Sequence, residues 1–261
     1  MTTLTEAQLK DWQHNGCLHI PDFIKNTTQL VQWTEELIDL PETSGKWMKY
    51  FETATDQSNP RMLCRIENFL DYHDGWKSII LSKEIFSILE QLLDEPAVLF
   101  KEKINLKLPS GNGFKAHQDA PAFAAFEQHF HITAMISIDP STKQNGCLEM
   151  AYGEHTNGLL EMDEDKTLSQ QTIDKLKWET LPTKPGDLVL FDSYIPHRSS
   201  GNNSKSARRA AYITYNAASI GSKRDEYYRN KREVFPPEVE RIPGKDYSNS
   251  GMYNIGNPIR K

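Results

Sequence analysis

Gly111-Asn-Gly-Phe-Lys-Ala-His117-Gln-Asp119-Ala-Pro121 is the stretch on which the reading of this chain turns. In an extended segment, side chains alternate between faces, so His117 and Asp119, two residues apart, point the same way and one metal ion can reach both. By itself a His-x-Asp triplet is commonplace and is met in many solvated turns. Its meaning depends on where it falls in the fold and on whether a third ligand can join it.

From Ala97 onward, short runs rich in Val, Ile, Phe, Tyr and Thr alternate with Gly, Asn, Pro and Ser clusters. Strands are expected at Ala97-Phe100, Ile104-Leu108, Ile132-Ile138, Cys147-Met150, Leu188-Phe191 and Ala210-Asn216. The His-x-Asp stretch lies among them. Before Ala97 the chain reads as helical. Thr5 and Gln8 form a capping box for a first helix, with Leu4 able to staple to Leu9 and Asn15-Gly16 ending it. A short strand, Cys17 to Ile20, closes at Pro21. A second helix is expected from about Thr28 to Leu40 and a third from Ser82, stopped by Pro96. Helices followed by many short strands indicate helices packed outside a sandwich or barrel. The expected fold is mainly β with flanking helices around a double-stranded β-helix, a cupin-like jelly roll. We expect one domain over residues 1–261: helical support over about 1–96, the jelly-roll core over about 97–217 and a C-terminal extension over 218–261. The polar segment Glu161 to Lys177 reads as a surface insertion, and the turn-rich tail RIPGKDYSNSGMYNIGNPIRK reads as a wrap over the surface or over a cleft.

Imidazole nitrogen and carboxylate oxygen suit a first-row divalent metal. A two-His-one-carboxylate face leaves the opposite positions open for co-substrate and O2 on Fe(II). Of the eight histidines, His197 is the best third ligand, because it follows the apolar run Leu188-Phe191 through Ser193-Tyr-Ile-Pro196, where a barrel mouth would lie. His129, His131 and His155 compete for the role, and Glu149 is an alternative carboxylate. Arg208, 11 residues beyond His197, opens the Ala210-Asn216 strand and offers a fixed fork for a carboxylate, as a 2-oxo acid requires. Arg208 and Arg209 have opposite parity, so only one points inward, and parity alone does not choose.

Taken together, His117-Gln-Asp119, Asn145-Gly-Cys-Leu148 with Gly153-Glu-His155, and Pro196-His197 with Arg208 resemble the phytanoyl-CoA dioxygenase family of Fe(II)/2-oxoglutarate oxygenases. The opening LTEAQLKDWQHNGCLHIPDFI also resembles that family's start, so the resemblance runs from about Thr5 to Asn216. It implies that His117, Asp119 and His197 bind iron, that Arg208 rather than Arg209 pairs with the distal carboxylate of 2-oxoglutarate, and that Asn105 and Thr133 help to hold that co-substrate. His155, standing in the family's Gly-Thr-His triplet, is implied to support the fold around the metal. The implied activity is that of a dioxygenase that hydroxylates a small-molecule substrate with release of succinate and CO2. Retention of Asp119 favours hydroxylation over halogenation, because halide needs a vacant ligand position.

Composition narrows the partners. With 25% charged and 38% hydrophobic residues the chain is ordinary for a globular protein. No run approaches the roughly 18 apolar residues of a membrane span, so no membrane association is expected. A net charge of −6 and the lack of a Lys/Arg tract exclude nucleic acid as an expected partner. Three scattered cysteines suggest neither a disulfide framework nor a zinc site. MTTLTEAQLK has neither a charged n-region nor an apolar h-region, so the cytoplasm is the default location. Nothing in the sequence fixes an oligomeric state. Lys115, Gln128, His129 and the run Glu226-Tyr227-Tyr228-Arg229 are candidates for presenting charge and aromatic surface to the substrate. With no extended basic patch to grip CoA phosphates, a small polar metabolite is favoured. Two rival readings use the same shell: a cupin-like metalloenzyme that does not use 2-oxoglutarate, and a catalytically silent jelly-roll binding protein.

Overall fold

Helix α1 (Glu6–Asn15) begins as its sequence dictates: the Thr5 side chain accepts from the Gln8 backbone N–H while Gln8 reaches back to the cap. It ends at Gly16, whose φ of 68° lies in the left-handed region. This turn feeds β1 (Cys17–Ile20) directly into a sheet. There follow α2 (Thr27–Asp39), β2 (Met48–Glu52), β3 (Met62–Glu67), α3 (Asp74–Ile80) and α4 (Lys83–Leu93), the last capped by Ser82. The remaining elements are β4 (Ala97–Lys107), β5 (Phe114–His117), β6 (Ile132–Ser137), β7 (Leu148–Met150), α5 (Gln170–Lys175), β8 (Glu179–Leu181), β9 (Leu188–Asp192), β10 (His197–Ser199), β11 (Arg208–Ala217) and α6 (Arg224–Val234). The computed structural model describes residues 2–247, 251–256 and 259. Part of the tail expected to wrap the surface, residues 248–250, 257, 258, 260 and 261, lies outside them.

Two antiparallel sheets form the core. The larger runs β1-β9-β6-β11-β4-β3-β2 and the smaller β5-β10-β7-β8. Apart from β2-β3-β4 and β7-β8, strands adjacent in space are distant in sequence, as the jelly roll requires. The long pair β4–β11 is the spine: it stays in register from Arg208 opposite Lys107 to Ala217 opposite Ala97, with one irregularity between Thr214 and Tyr215. One face of the large sheet carries Ile66, Ile104, Leu106, Ile132, Ala134, Ile136, Leu188, Leu190, Ala211 and Ile213, buried in one cluster with Leu30, Leu37, Trp76, Ile80, Ile85, Ile88 and Leu89 of the helices. The other face turns toward the small sheet, where Met135, Val189, Phe191, Ala210 and Tyr212 meet Leu148 and Met150. The alternation of each strand thus separates a dry, helix-covered face from an inner face that is free to carry polar groups.

Several elements differ from the sequence expectation. The two apolar runs at Ala97-Phe100 and Ile104-Leu108 are one eleven-residue strand, because Lys101-Glu102-Lys103 is not a turn. Lys101 and Lys103 line the inner cavity, and Glu102 on the opposite face takes Arg224 of α6 at 2.7 and 3.0 Å. The expected helical support also holds β2 and β3, which extend the large sheet by pairing β3 with β4. In the segment Glu161 to Lys177, α5 and a bridge between Met162 and Leu168 form, and Leu168 N donates to Ala116 O on β5. The described part of the tail lies over the cleft, with Met252, Tyr253 and Ile255 in the cavity wall.

At Gly16 a Cβ would stand 2.5 Å from the His155 ring. Gly16→Ala combines that overlap with a left-handed backbone, so we expect a loss of more than about 1 kcal/mol, read from urea denaturation. His155→Ala in the same background should recover part of the loss, since it removes the two ring atoms that the Cβ meets most closely.

Candidate metal centre

β10 pairs with both β5 and β7, and its register places His197 opposite His117 on one side and Met150 on the other. The two imidazoles consequently share a face, with ring centroids 4.3 Å apart. Asp119, just past the end of β5, turns its carboxylate toward them: Oδ1 is 3.7 Å from His117 Nε2. One ligand atom from each of His117, Asp119 and His197 can be chosen so that all lie within 4.8 Å of one another, and among the described residues this is the group of three or more His, Cys, Asp and Glu side chains so placed.

The tautomers suit metal binding. His117 Nδ1 lies 2.7 Å from Lys115 O and His197 Nδ1 lies 3.1 Å from Ile195 O. A carbonyl can only accept, so each Nδ1 carries the proton and each Nε2 presents a bare lone pair. Burial, aided by the nearby His197, draws His117 down to about 3, which keeps it neutral at ordinary pH. Burial would raise the Asp119 carboxyl, but His197, Lys103 and His117 outweigh it and hold the group ionised. Two imidazoles that turn their Nε2 atoms to one face and a carboxylate beside them match the donor set and the open geometry of a mononuclear non-haem iron site.

The rivals are occupied elsewhere. His131 is buried against Phe100 and Phe123 with Nε2 on Gln128 Oε1, His129 is exposed, and His155 packs on Gly16. Glu149 Oε2 accepts from Arg198 Nε and Nη2 at 3.0 and 2.9 Å. Gln118, between the two residues of the triplet, escaped the sequence reading. Its side chain is fully buried, donates to Gly158 O and Tyr194 O and accepts from Leu160 N, so it fixes the segment that carries Asp119.

The clustered donors lie in the wall of a cavity of about 750 Å³, open mouth included. Asn105 and Thr133 also line it. Asn105 Oδ1 accepts from Arg65 Nε at 2.9 Å, and Thr133 Oγ1 is 3.1 Å from Thr214 Oγ1. Arg208 lies deeper, behind the lining residue Tyr212: Nη2 donates to Tyr212 Oη at 3.2 Å and Nε to Ser141 Oγ at 3.1 Å. Arg209, of the other parity, is held by both carboxylate oxygens of Asp139 at 2.7 and 2.8 Å and by Glu35. Beside Arg208, its cross-strand neighbour Lys107 donates to Ser199 Oγ at 2.8 Å, and burial together with Arg208 brings its amine down to about 6. Arg65, Lys101 and Lys103 complete a positive wall in which Glu67, bonded to Lys231 of α6 at 2.6 Å, is the carboxylate besides Asp119. Of the residues expected to meet substrate, Tyr227 lines the cavity, whereas Lys115 is an exposed partner of Asp165 and Tyr228 bonds to the Glu102 backbone.

Comparison with known proteins bears on this geometry at three levels. The phytanoyl-CoA dioxygenase (PhyH) family model matches residues 12–210. A 2-aminoethylphosphonate dioxygenase from the uncultured bacterium HF130_AEPn_1 is 50% identical over the full length of both chains. A methylphosphonate hydroxylase from Gimesia maris is 40% identical over 90% of this chain and 89% of its own. Among solved structures, EctD from S. alaskensis with 2-oxoglutarate and 5-hydroxyectoine superposes with a TM-score of 0.70 at 17% identity, over 84% of this chain and 78% of its own. That likeness establishes the jelly-roll oxygenase fold, and no helix of the described residues is long and apolar enough to cross a membrane. The chain belongs to the phytanoyl-CoA dioxygenase family and is a non-haem Fe(II)/2-oxoglutarate-dependent dioxygenase, a hydroxylase of a small molecule.

Proposed function

We propose that this enzyme hydroxylates a small phosphonate, with His117, Asp119 and His197 as its iron ligands and Arg208 as the anchor of 2-oxoglutarate. The observation that carries the reading is the charge of the cavity: a site that already needs cations for its co-substrate has a second group of them, Arg65, Lys101 and Lys103, in the wall where substrate enters. Relatives that act on 2-aminoethylphosphonate and methylphosphonate, at 50% and 40% identity, support it.

Iron with 2-oxoglutarate supplies the oxidising chemistry that turns a C–H bond into C–OH, with release of succinate and CO2. The protein's part is placement. The carbonyl-bound Nδ1 atoms aim His117 and His197 at one point, and Gln118 keeps Asp119 beside them. Arg208 is 2% exposed, and its described partners are two hydroxyls, with no carboxylate among them. A buried guanidinium so placed lacks a counter-ion, and the distal carboxylate of a 2-oxo acid provides one with matching fork geometry. This unmet charge favours a 2-oxoglutarate enzyme over a cupin-like metalloenzyme that has no use for it. Asn105 and Thr133 contribute polar atoms to the cavity that the metal ligands line, while Phe191, whose ring centroid is 5.2 Å from that of His197, gives the metal an apolar neighbour.

Anaerobic addition of Fe(II) and 2-oxoglutarate to the apoprotein should produce the weak visible charge-transfer band of the chelate, and His117→Ala should abolish it. A band that survives His117→Ala would reject the ligand assignment. Arg208→Met should bind iron normally but raise the KM for 2-oxoglutarate about 10- to 100-fold, the expected effect of losing a charged hydrogen-bonding partner. Succinate release should rise on addition of 2-aminoethylphosphonate or methylphosphonate, with a hydroxylated product in equal amount. If neither compound stimulates turnover, the phosphonate reading fails while the dioxygenase assignment stands.

A further inference from the structure

We propose that Lys101 and Lys103, at consecutive inward positions of β4, grip the phosphonate oxygens of the substrate, so that the cavity selects a dianionic head group over a carboxylate. This assignment rests on the phosphonate reading above and adds the residues that would recognise the head group.

Positions two apart on a strand share a face and are about 7 Å apart along it, so two ammonium groups can converge on one tetrahedral anion. Register sets the surroundings: Lys103 lies opposite Tyr212 on β11 and Glu67 on β3, and Lys101 lies opposite Thr214. All of these residues line the cavity. Lys101 is 7% exposed, yet among the described residues neither lysine has a hydrogen-bond or ion-pair partner. Instead, Lys101 Nζ sits 4.6 Å from the ring centroid of Phe123 and 5.4 Å from that of Tyr227, and Lys103 Nζ sits 5.6 Å from that of Tyr212. Ring faces attract a cation but accept no conventional hydrogen bond, and each ammonium has three donors to satisfy.

The nearby carboxylates are committed to other groups. Glu67 takes Lys231 at 2.6 Å and Arg65 at 3.3 Å. Asp119 is turned to His117 among the proposed metal ligands. One buried and one half-buried ammonium group without acceptors carry a desolvation cost that an arriving anion relieves. Burial pulls both amines down, Arg65 and Lys101 push Lys103 further in the same direction, and Asp119 and Glu67 only partly offset this. A phosphonate dianion, with three oxygens and about two charges, can engage both lysines, whereas a carboxylate brings one charge and two oxygens. Tyr227, which roofs Lys101, comes from α6 beyond the residues that the family model matches. The head-group site is thus assembled from the shared barrel and from a segment outside it.

The test uses the Fe(II)/2-oxoglutarate-loaded enzyme without O2, following the visible band as 2-aminoethylphosphonate or its carboxylate counterpart 3-aminopropanoate is added. Lys101→Met and Lys103→Met keep side-chain length and remove charge. Each should weaken binding of the phosphonate about 10- to 100-fold, change binding of the carboxylate far less and, in separate turnover assays with O2, leave the KM for 2-oxoglutarate unchanged. General damage to the pocket would weaken both compounds alike, so a phosphonate preference that persists in both variants overturns the proposal. A rise confined to the KM for 2-oxoglutarate also overturns it, by giving the lysines to the co-substrate. If the wild-type enzyme binds neither 2-aminoethylphosphonate nor methylphosphonate, the phosphonate reading itself falls; if it binds them and both variants bind equally well, only the lysine assignment does.

Discussion

The three-residue strand β10 is the constraint on which the site depends. Its hydrogen bonds to β5 set His197 opposite His117, and its bonds to β7 hold it between two neighbours. A one-residue slip would send His197 to the other face, since side chains alternate strictly along a strand. The irregularity between His197 and Ser199 against β5 is tolerated because β7 stays in register with all three residues of β10. Carbonyls of the same segments, Lys115 O and Ile195 O, then fix both tautomers. Backbone pairing therefore determines position, orientation and tautomer of the two histidines together.

Much of this was legible in the sequence where local rules are strong. The Thr5–Gln8 capping box, the Ser82 cap and the apolar face of α4 predict their helices because each depends on a few neighbouring residues. The apolar runs of β6, β9 and β11 stand out because both faces of each strand are covered. Strands β5, β8 and β10 do not, since three or four residues are too few to show alternation. The charged triplet Lys101-Glu102-Lys103 reads as a break because charge usually means solvent, whereas here the lysines face a cavity and Glu102 faces Arg224. His117, Asp119, His197 and Arg208 were found through motif spacing. Arg65, Glu67 and Lys231 were not, because their role arises only when β3, β4 and α6 come together.

The C-terminal segment illustrates how the barrel is extended beyond the residues that the family model matches. Lys231 is fully buried, reaches Glu67 Oε2 at 2.6 Å, and lies 5.0 to 5.7 Å from the ring centroids of Tyr50, Tyr227 and Tyr253. Arg224 of the same helix takes Glu102 on the opposite face of β4. The helix thus joins β3 and β4 through one buried ion pair on each side of the sheet, and Tyr227 is brought to the cavity between them. Buried pairs contribute little net stability compared with apolar packing, but breaking one by removing a single partner is costly. Their value here is geometric: they fix how α6 approaches the strands.

The same reasoning explains why Arg65 and Glu67 stand side by side in a positive wall. Glu67 is held down to about 2, because Lys231, Arg65 and Lys103 outweigh the burial that would raise it. It therefore stays ionised and takes up the charge of Lys231 and part of that of Arg65. Without it, the cations of β3, β4 and α6 would repel one another in a medium that screens them poorly. With it, the excess that remains is concentrated on Lys101 and Lys103 and, separately, on Arg208. These are two regions of unmatched positive charge in one barrel, one in the wall beside the proposed metal ligands and one at Arg208, next to Tyr212. For the proposed anionic substrate to bind beside a dianionic co-substrate, the two regions must lie apart, so that neither anion can satisfy both and block the other.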